Sequence, residues 1–385
     1  MPVIEIGPKR FISGESQSDY ISDRGFSPDS INLNLTKKRG VLHFIESPIE
    51  RGTATLTGNI IGATEDPDLA TNNDALFIDD GGAFYKYSGT TLTKQYTDAT
   101  AGRNWTLGTT DIIAFQGNAG ATQYFVSSDV TIAKLDNSFS MVDSGWWATG
   151  LATGYRHPME VMRDEMFLAH KNVIYFFNGT SSGTAFTLPP DVNVTTLRKA
   201  PDGRNLLAFT GTQQNASHTE NGRGKVYYCD VVTRFYEREI PLDAQVEGSR
   251  NVGGTIYVTY GKNVGYFTGT GIQFLKKLET SGTTYSQSMN DMDGTLLVRD
   301  GRNILAYGDL GGGRVWYKPY RQTASTDNIN VPFYKGNNVL LFGTAGADLY
   351  ESDFSNIGAN GSWYSNKYTF GSEVKIRRID IYHDV

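Results

Sequence analysis

Two short segments carry enough oxygen atoms to attract a hard cation. One is Glu65-Asp66-Pro67-Asp68 with Asn72-Asn73-Asp74; the other is Asn290-Asp291-Met292-Asp293. Calcium needs several such oxygens converging from one loop. Neither segment has the spacing or the distal Glu of a calcium-binding hand, so both read as solvated acidic loops. Paired carboxylates could also cleave a glycosidic bond, provided that two of them are held at a defined separation. The acids here fall mainly in turns, such as Asp79-Asp80, Asp291-Met292-Asp293-Gly294 and Asp300-Gly301. Asp before Gly is ordinary turn chemistry.

Other catalytic patterns are thin. Val142-Asp143-Ser144-Gly145-Trp146 has the Asp, Gly and Trp of a sialidase-type turn, but it lacks the leading Ser and occurs once. The single Cys229 excludes an internal disulfide framework and any multi-Cys metal site. His43, His157, His170, His218 and His383 show no metal-ligand spacing. His170 lies in a strand-like run and reads as a partly buried structural residue. Gly311-Gly312-Gly313 is a turn without the helix that a phosphate cradle needs. No nucleophile elbow, P-loop or dinucleotide fingerprint is present. The sequence therefore assigns no catalytic, cofactor-binding or metal-binding residue, and the chain reads as a non-enzyme without a cofactor.

Basic residues gather toward the ends. Lys9-Arg10 and Lys37-Lys38-Arg39 flank an irregular N-terminal stretch, and Lys375, Arg377 and Arg378 fall in a C-terminal alternating run. In a strand, Lys375 and Arg377 share one face, opposite Val374, Ile376 and Arg378. The formal net charge is -6, so a general nucleic-acid-binding surface is not expected. Positive potential is concentrated instead where an acidic partner surface, or DNA phosphate passing nearby, could meet it. Lys9, Arg10, Lys37, Lys38, Arg39, Lys375 and Arg377 are accordingly the expected partner-binding residues.

The elements that must position these groups are strands. Among 385 residues there are 43 Gly, 22 Tyr and 20 Phe, with 39% hydrophobic residues. Gly supports tight turns and aromatics suit half-buried strands. From about residue 75 a unit recurs: an apolar strand, a Gly- or Asn-containing turn, then an aromatic strand. Its copies centre on Ala75–Ile78 with Phe84–Tyr87, Ile112–Phe115 with Gln123–Val126, and Met166–Ala169 with Val173–Phe177. They continue through Leu206–Phe209 with Lys225–Tyr228, Thr255–Val258 with Val264–Phe267, Thr295–Val298 with Ile304–Tyr307, and Asn338–Phe342 with Asp348–Tyr350. The spacing averages roughly 40 to 45 residues, the period of a propeller blade. A lone hairpin cannot bury its apolar face, whereas radial stacking of four-stranded sheets does. The expected fold is all-β, a β-propeller of about seven blades.

The ends depart from this pattern. Residues 1–45 are polar and irregular, an extended N-terminal arm with one short alternating strand at Ile31–Leu35. Residues 46–370 form the propeller, with 46–70 completing a blade. Residues 371–385 hold a strongly alternating strand, 373–382, that either closes the ring or begins a further β domain. The first residues lack the basic and apolar regions of a signal peptide. No apolar run approaches the roughly 20 residues of a membrane-spanning helix. Synthesis in a cytoplasm is expected.

The arm segment Ser30-Ile31-Asn32-Leu33-Asn34-Leu35-Thr36-Lys37-Lys38-Arg39-Gly40-Val41-Leu42 is similar to the start of propeller-containing virion proteins of tailed bacteriophages, the tail hub or nozzle proteins. Thr369–Ile379 resembles the strand that follows the last blade in those proteins. The resemblance implies a virion structural protein of the tail, made in a bacterial cytoplasm and assembling as a multi-copy ring around the DNA exit channel. Its partners would be copies of itself and neighbouring tail, portal or adaptor proteins, with transient contact to passing DNA. The alternative is a glycan-binding or glycan-cleaving propeller, for which Trp146, Trp147, Trp316 and Trp363 would supply stacking surfaces.

Overall fold

A computed structural model describes residues 48–52, 56–65, 74–98, 105–117, 120, 122–143, 146, 151–152, 154–211, 223–279, 285–309, 314–322 and 327–353, with short strands at 30–31, 33–34, 43–44 and 362–363. The described residues contain seven four-stranded antiparallel sheets. In six of them the chain runs outward from the centre. Blade 1 comprises Ile60–Glu65, Ala75–Asp79, Ala83–Ser88 and Thr91–Thr97; blade 2 comprises Ile112–Phe115, Gln123–Ser127, Ile132–Leu135 and Met141–Asp143. Blade 3 is Met159–Met162, Glu165–His170, Val173–Phe177 and Ser182–Thr187, and blade 4 is Asn193–Lys199, Asn205–Gly211, Gly224–Asp230 and Phe235–Leu242. Gly248–Val252, Thr255–Tyr260, Asn263–Phe267 and Ile272–Lys277 make blade 5. Met289–Met292, Thr295–Asp300, Asn303–Asp309 and Arg314–Arg321 make blade 6.

Blade 7 is composite. Ile329–Gly336, Val339–Thr344 and Leu349–Asp353 come from one end of the chain, and Ile49–Glu50 supplies the outermost strand. The expectation that residues 46–70 complete one blade is thus divided. Ile49–Glu50 finishes blade 7, while Ile60–Glu65 begins blade 1. Thr53-Ala54-Thr55 lies outside the described residues. The closure is held by Tyr350↔Glu50 and Glu351↔Ile49 pairing, by the Arg51 amide donating to the Leu349 carbonyl at 2.7 Å, and by an Arg51–Glu351 ion pair at 3.1 Å. The Tyr87 hydroxyl of blade 1 also donates to Glu351. The proposed closing strand 373–382 lies outside the described residues.

The core is distributed rather than central. An apolar cluster fills the seam between each neighbouring pair of blades, including that between blades 7 and 1, where Val331, Phe333, Leu341 and Leu349 meet Ile60, Phe77 and Tyr85. Gly343 permits this last seam to close. A Cβ there would sit 2.3 Å from the Ile60 Cβ, far inside van der Waals contact. The second strands are buried on both faces, as in Ala75–Asp79 and Asn205–Gly211. Inner strands such as Gly248–Val252 and Met289–Met292 mix polar with apolar residues, because one of their faces looks onto the ring axis.

Candidate functional site

The two acidic segments singled out in the sequence meet. Glu65 ends the inner strand of blade 1, and Asp74 precedes that blade's second strand. Asp291 and Asp293 lie at the end of the inner strand of blade 6. All four carboxylates line one cavity of about 360 Å³, together with Arg250 from blade 5 and residues 333–336 of blade 7. Asp293 (φ 48°) and Gly294 (φ 84°) form the two-residue turn joining Met292 to Thr295, the left-handed pair that a tight hairpin requires. This turn fixes the carboxylates: the Gly294 amide donates to Asp291 Oδ1 at 2.8 Å, and the Tyr334 hydroxyl donates to Asp293 Oδ2 at 2.6 Å. Asp74 is 3% exposed and pairs through Oδ2 with Lys86 Nζ at 3.1 Å, while its buried Oδ1 has no hydrogen-bond partner among the described residues. Among the described residues no group of three or more His, Cys, Asp or Glu side chains is arranged to hold a metal ion.

Arg250 is the residue that sequence reasoning missed. It lies in Gly248-Ser249-Arg250-Asn251-Val252, where the only signal was a charge in the middle of a strand. Burial and the neighbouring Arg198 pull its pKa down, and Glu160, Glu65 and Asp291 pull it up. Beside it, Arg198 of blade 4 is paired with Glu160 of blade 3 at 2.5 Å and donates through Nε to the Ser249 carbonyl at 2.7 Å.

At the opposite face, where the inner strands begin, the axis is filled by polar side chains. Gln287, just before blade 6, donates to Asp111 Oδ1 of the blade 2 approach at 2.7 Å and accepts from the Ala63 amide of blade 1 at 3.2 Å. Arg156, leading into blade 3, pairs with Glu247, leading into blade 5, at 2.5 Å. Between these groups about 20 Å³ of open volume remains. The two faces of the ring therefore differ, one stapled and one cupped.

Several other sequence candidates that are described make packing contacts. Cys229 is buried, and desolvation pushes its thiol up to about 12, so a thiolate nucleophile is not available at neutral pH. His157 and His170 contact one another at 3.0 Å between blades 2 and 3. Trp146 packs 4.8 Å from both Phe125 and Phe177, and Trp316 packs 4.9 Å from Tyr307, centroid to centroid. Their rings are committed to packing. Trp147 and the side chains of Asp143 and Trp363 lie outside the described residues.

Short strands from the N- and C-terminal parts of the chain lie on the rim. Ser30 pairs with Trp363 and Ile31 with Ser362, and Leu33–Asn34 pairs with His43–Phe44. Both Ser30–Ile31 and Leu33–Asn34 lie against Arg314–Arg321, the outer strand of blade 6. The short alternating strand expected at Ile31–Leu35 is thus shared between two small sheets. Lys9, Arg10, Lys37, Lys38, Arg39, Lys375 and Arg377 all lie outside the described residues. Elsewhere on the rim, Val232, Phe235 and Tyr236 of blade 4 and Phe274 of blade 5 are exposed, Phe235 by 74%.

No family model matches the chain, and no curated protein matches it in sequence. Solved structures do resemble it in shape. Virginiamycin B lyase from Staphylococcus aureus, as a catalytically inactive histidine-to-alanine variant with quinupristin, aligns with a TM-score of 0.60 at 8% identity, covering 80% of this chain and 99% of that one. The WD40 propeller domain of Doa1 aligns at 0.53 and 8% identity, covering 80% and 95%. YCF48 bound to D1 peptide aligns at 0.53 and 11% identity, covering 79% and 95%. At these identities the likeness concerns architecture alone: the chain is a seven-bladed β-propeller.

Proposed function

We propose that this propeller is a structural component of a bacteriophage tail, hub-like or nozzle-like, in which the ring is a rigid body and the chain ends carry assembly. The observation that carries the reading is the pairing of Ser30–Ile31 with Ser362–Trp363 beside the outer strand of blade 6. The resemblance to tail proteins rests on the arm that begins at Ser30 and on the segment just beyond Trp363. The strands Ser30–Ile31 and Ser362–Trp363 pair with each other, at the start of the first of these segments and ahead of the second in sequence. An arm too polar to fold alone gains order on a partner, and an alternating strand with one basic face can add to a neighbour's sheet edge. Copies of the chain and neighbouring tail, portal or adaptor proteins are the partners in this reading, and the virion is its location.

The test is incorporation into particles. Deleting residues 1–29, which spares the Ser30 pairing, should leave a folded ring with an unchanged melting temperature but abolish incorporation. Reversing the charges of Lys37, Lys38 and Arg39 should weaken assembly most at low salt, where exposed charges act over longer distances. Normal incorporation of both variants would remove the assembly reading.

A further inference from the structure

We infer that the cupped face of the ring is a binding site for a small zwitterion, a molecule bearing one carboxylate and one ammonium group. The inference goes beyond the assembly reading and does not depend on it. Its basis is a set of opposite charges brought to one cavity, the Arg250 guanidinium and the Glu65 and Asp291 carboxylates. Arg250 lines the cavity, and no hydrogen bond or ion pair engages its guanidinium among the described residues, whereas Arg198 next to it pairs with Glu160 and donates to the Ser249 carbonyl. A guanidinium presents five donors in a rigid fork that matches a carboxylate. Asp74 lines the same cavity but is almost fully buried, and its charge is paired with Lys86. Glu65 and Asp291 add negative charge beside it, while the second oxygen of Asp293 is held by Tyr334. Lys335, also on the wall, is directed away, its Nζ donating to the Gly89 carbonyl at 3.3 Å.

Neither charge sign alone fits this wall. An anion would satisfy Arg250 but be repelled by the Glu65 and Asp291 carboxylates beside it. A cation would satisfy the carboxylates but be repelled by Arg250. A molecule with both charges meets both requirements, and a volume of about 360 Å³ falls within the roughly 300–1,000 Å³ of small-molecule sites.

Three four-carbon probes separate the possibilities: γ-aminobutyrate with both charges, butyrate with the negative one, and n-butylammonium with the positive one. Glycine and free lysine extend the zwitterion series to other charge separations. Titration calorimetry on the full chain should show at least one zwitterion binding about tenfold or more tightly than either singly charged probe, with a matching rise in melting temperature. Arg250→Met and, separately, Asp291→Asn should each weaken that binding about tenfold, the loss of one charge-assisted contact. Both variants should melt near the parent temperature without ligand, which separates lost binding from lost fold. Butyrate binding as tightly as the zwitterion, butylammonium doing so, no zwitterion binding, or unchanged affinity in Arg250→Met would each overturn the inference.

Discussion

His157 and His170 define a one-way hydrogen-bond chain. The Ser128 carbonyl can only accept, so His157 Nδ1 carries the proton that bridges 2.8 Å to it. His157 Nε2 is then an acceptor for His170 Nδ1–H at 3.0 Å, leaving His170 Nε2 as a buried lone pair without a partner. His157 must be neutral for this chain to exist, and protonating His170 would place a charge on a buried Nε2. Burial lowers the pKa of each, and the neighbouring His157 and Lys171 help bring His170 down to about 4. A folded state that resists protonation is stabilised above the unfolded value near 6.5 and loses that advantage as pH falls from there toward 4. We expect about 2 kcal/mol of stability to disappear across this window, allowing for partial solvent screening. Urea midpoints at pH 7 and pH 4.5 should differ by more in the parent than in His170→Leu. Equal pH dependence in the two proteins would show that the pair does not control acid sensitivity. At this scale the sequence announced some residues and hid others. Asp293-Gly294 declared its turn because that dipeptide has a local conformational preference. Arg250 and Gln287 declared nothing, since their significance comes from what the ring closure brings near them.

The strands differ in legibility for a physical reason. In every repeat but the second, the apolar unit read from the sequence coincides with the second and third strands of a blade. Those strands are packed between neighbouring blades, so they appear as continuous apolar runs. Inner strands such as Gly248–Val252 and Met289–Met292 mix polar and apolar residues because one face meets the axis. In blade 2 the inner strand Ile112–Phe115 is itself apolar, and the repeat was read one strand early. Ile49–Glu50 is least legible of all: two residues have no periodicity, and their strand exists through pairing with Leu349–Asp353. Glu351 makes that pairing consequential. It accepts from Arg51 and from the Tyr87 hydroxyl, which ties the closure strand and blade 1 to blade 7. Glu351→Ala would strand both donors at a seam where little water enters. The expected cost is about 2–3 kcal/mol, measured by chemical denaturation. A loss below about 0.5 kcal/mol would mean that the blade 7–1 seam relies on apolar packing alone.

For the whole molecule, the arrangement of seams decides how it comes apart. A chain of stacked units open at both ends can fray from either one. Here the blade 7–1 seam is packed like the others and carries the Ile49–Glu50 strand across the chain ends. The axis adds ties that skip blades: Gln287 links the approach to blade 6 with blades 1 and 2, and Arg156–Glu247 links the approaches to blades 3 and 5. Opening any one seam therefore strains bonds anchored elsewhere, and the ring should unfold as one unit. Limited proteolysis should leave a single large resistant core, and calorimetry should show one transition whose van't Hoff and calorimetric enthalpies agree. Deleting residues 48–52 removes the closure strand but leaves the other six blades intact. That variant should melt lower and lose cooperativity, with a calorimetric enthalpy exceeding the van't Hoff value, because blade 7 loses its outer strand and the covalent tie through Arg51 to blade 1. Two stable proteolytic halves from the parent, or full cooperativity after the deletion, would show that the blades are held in series and that closure contributes little.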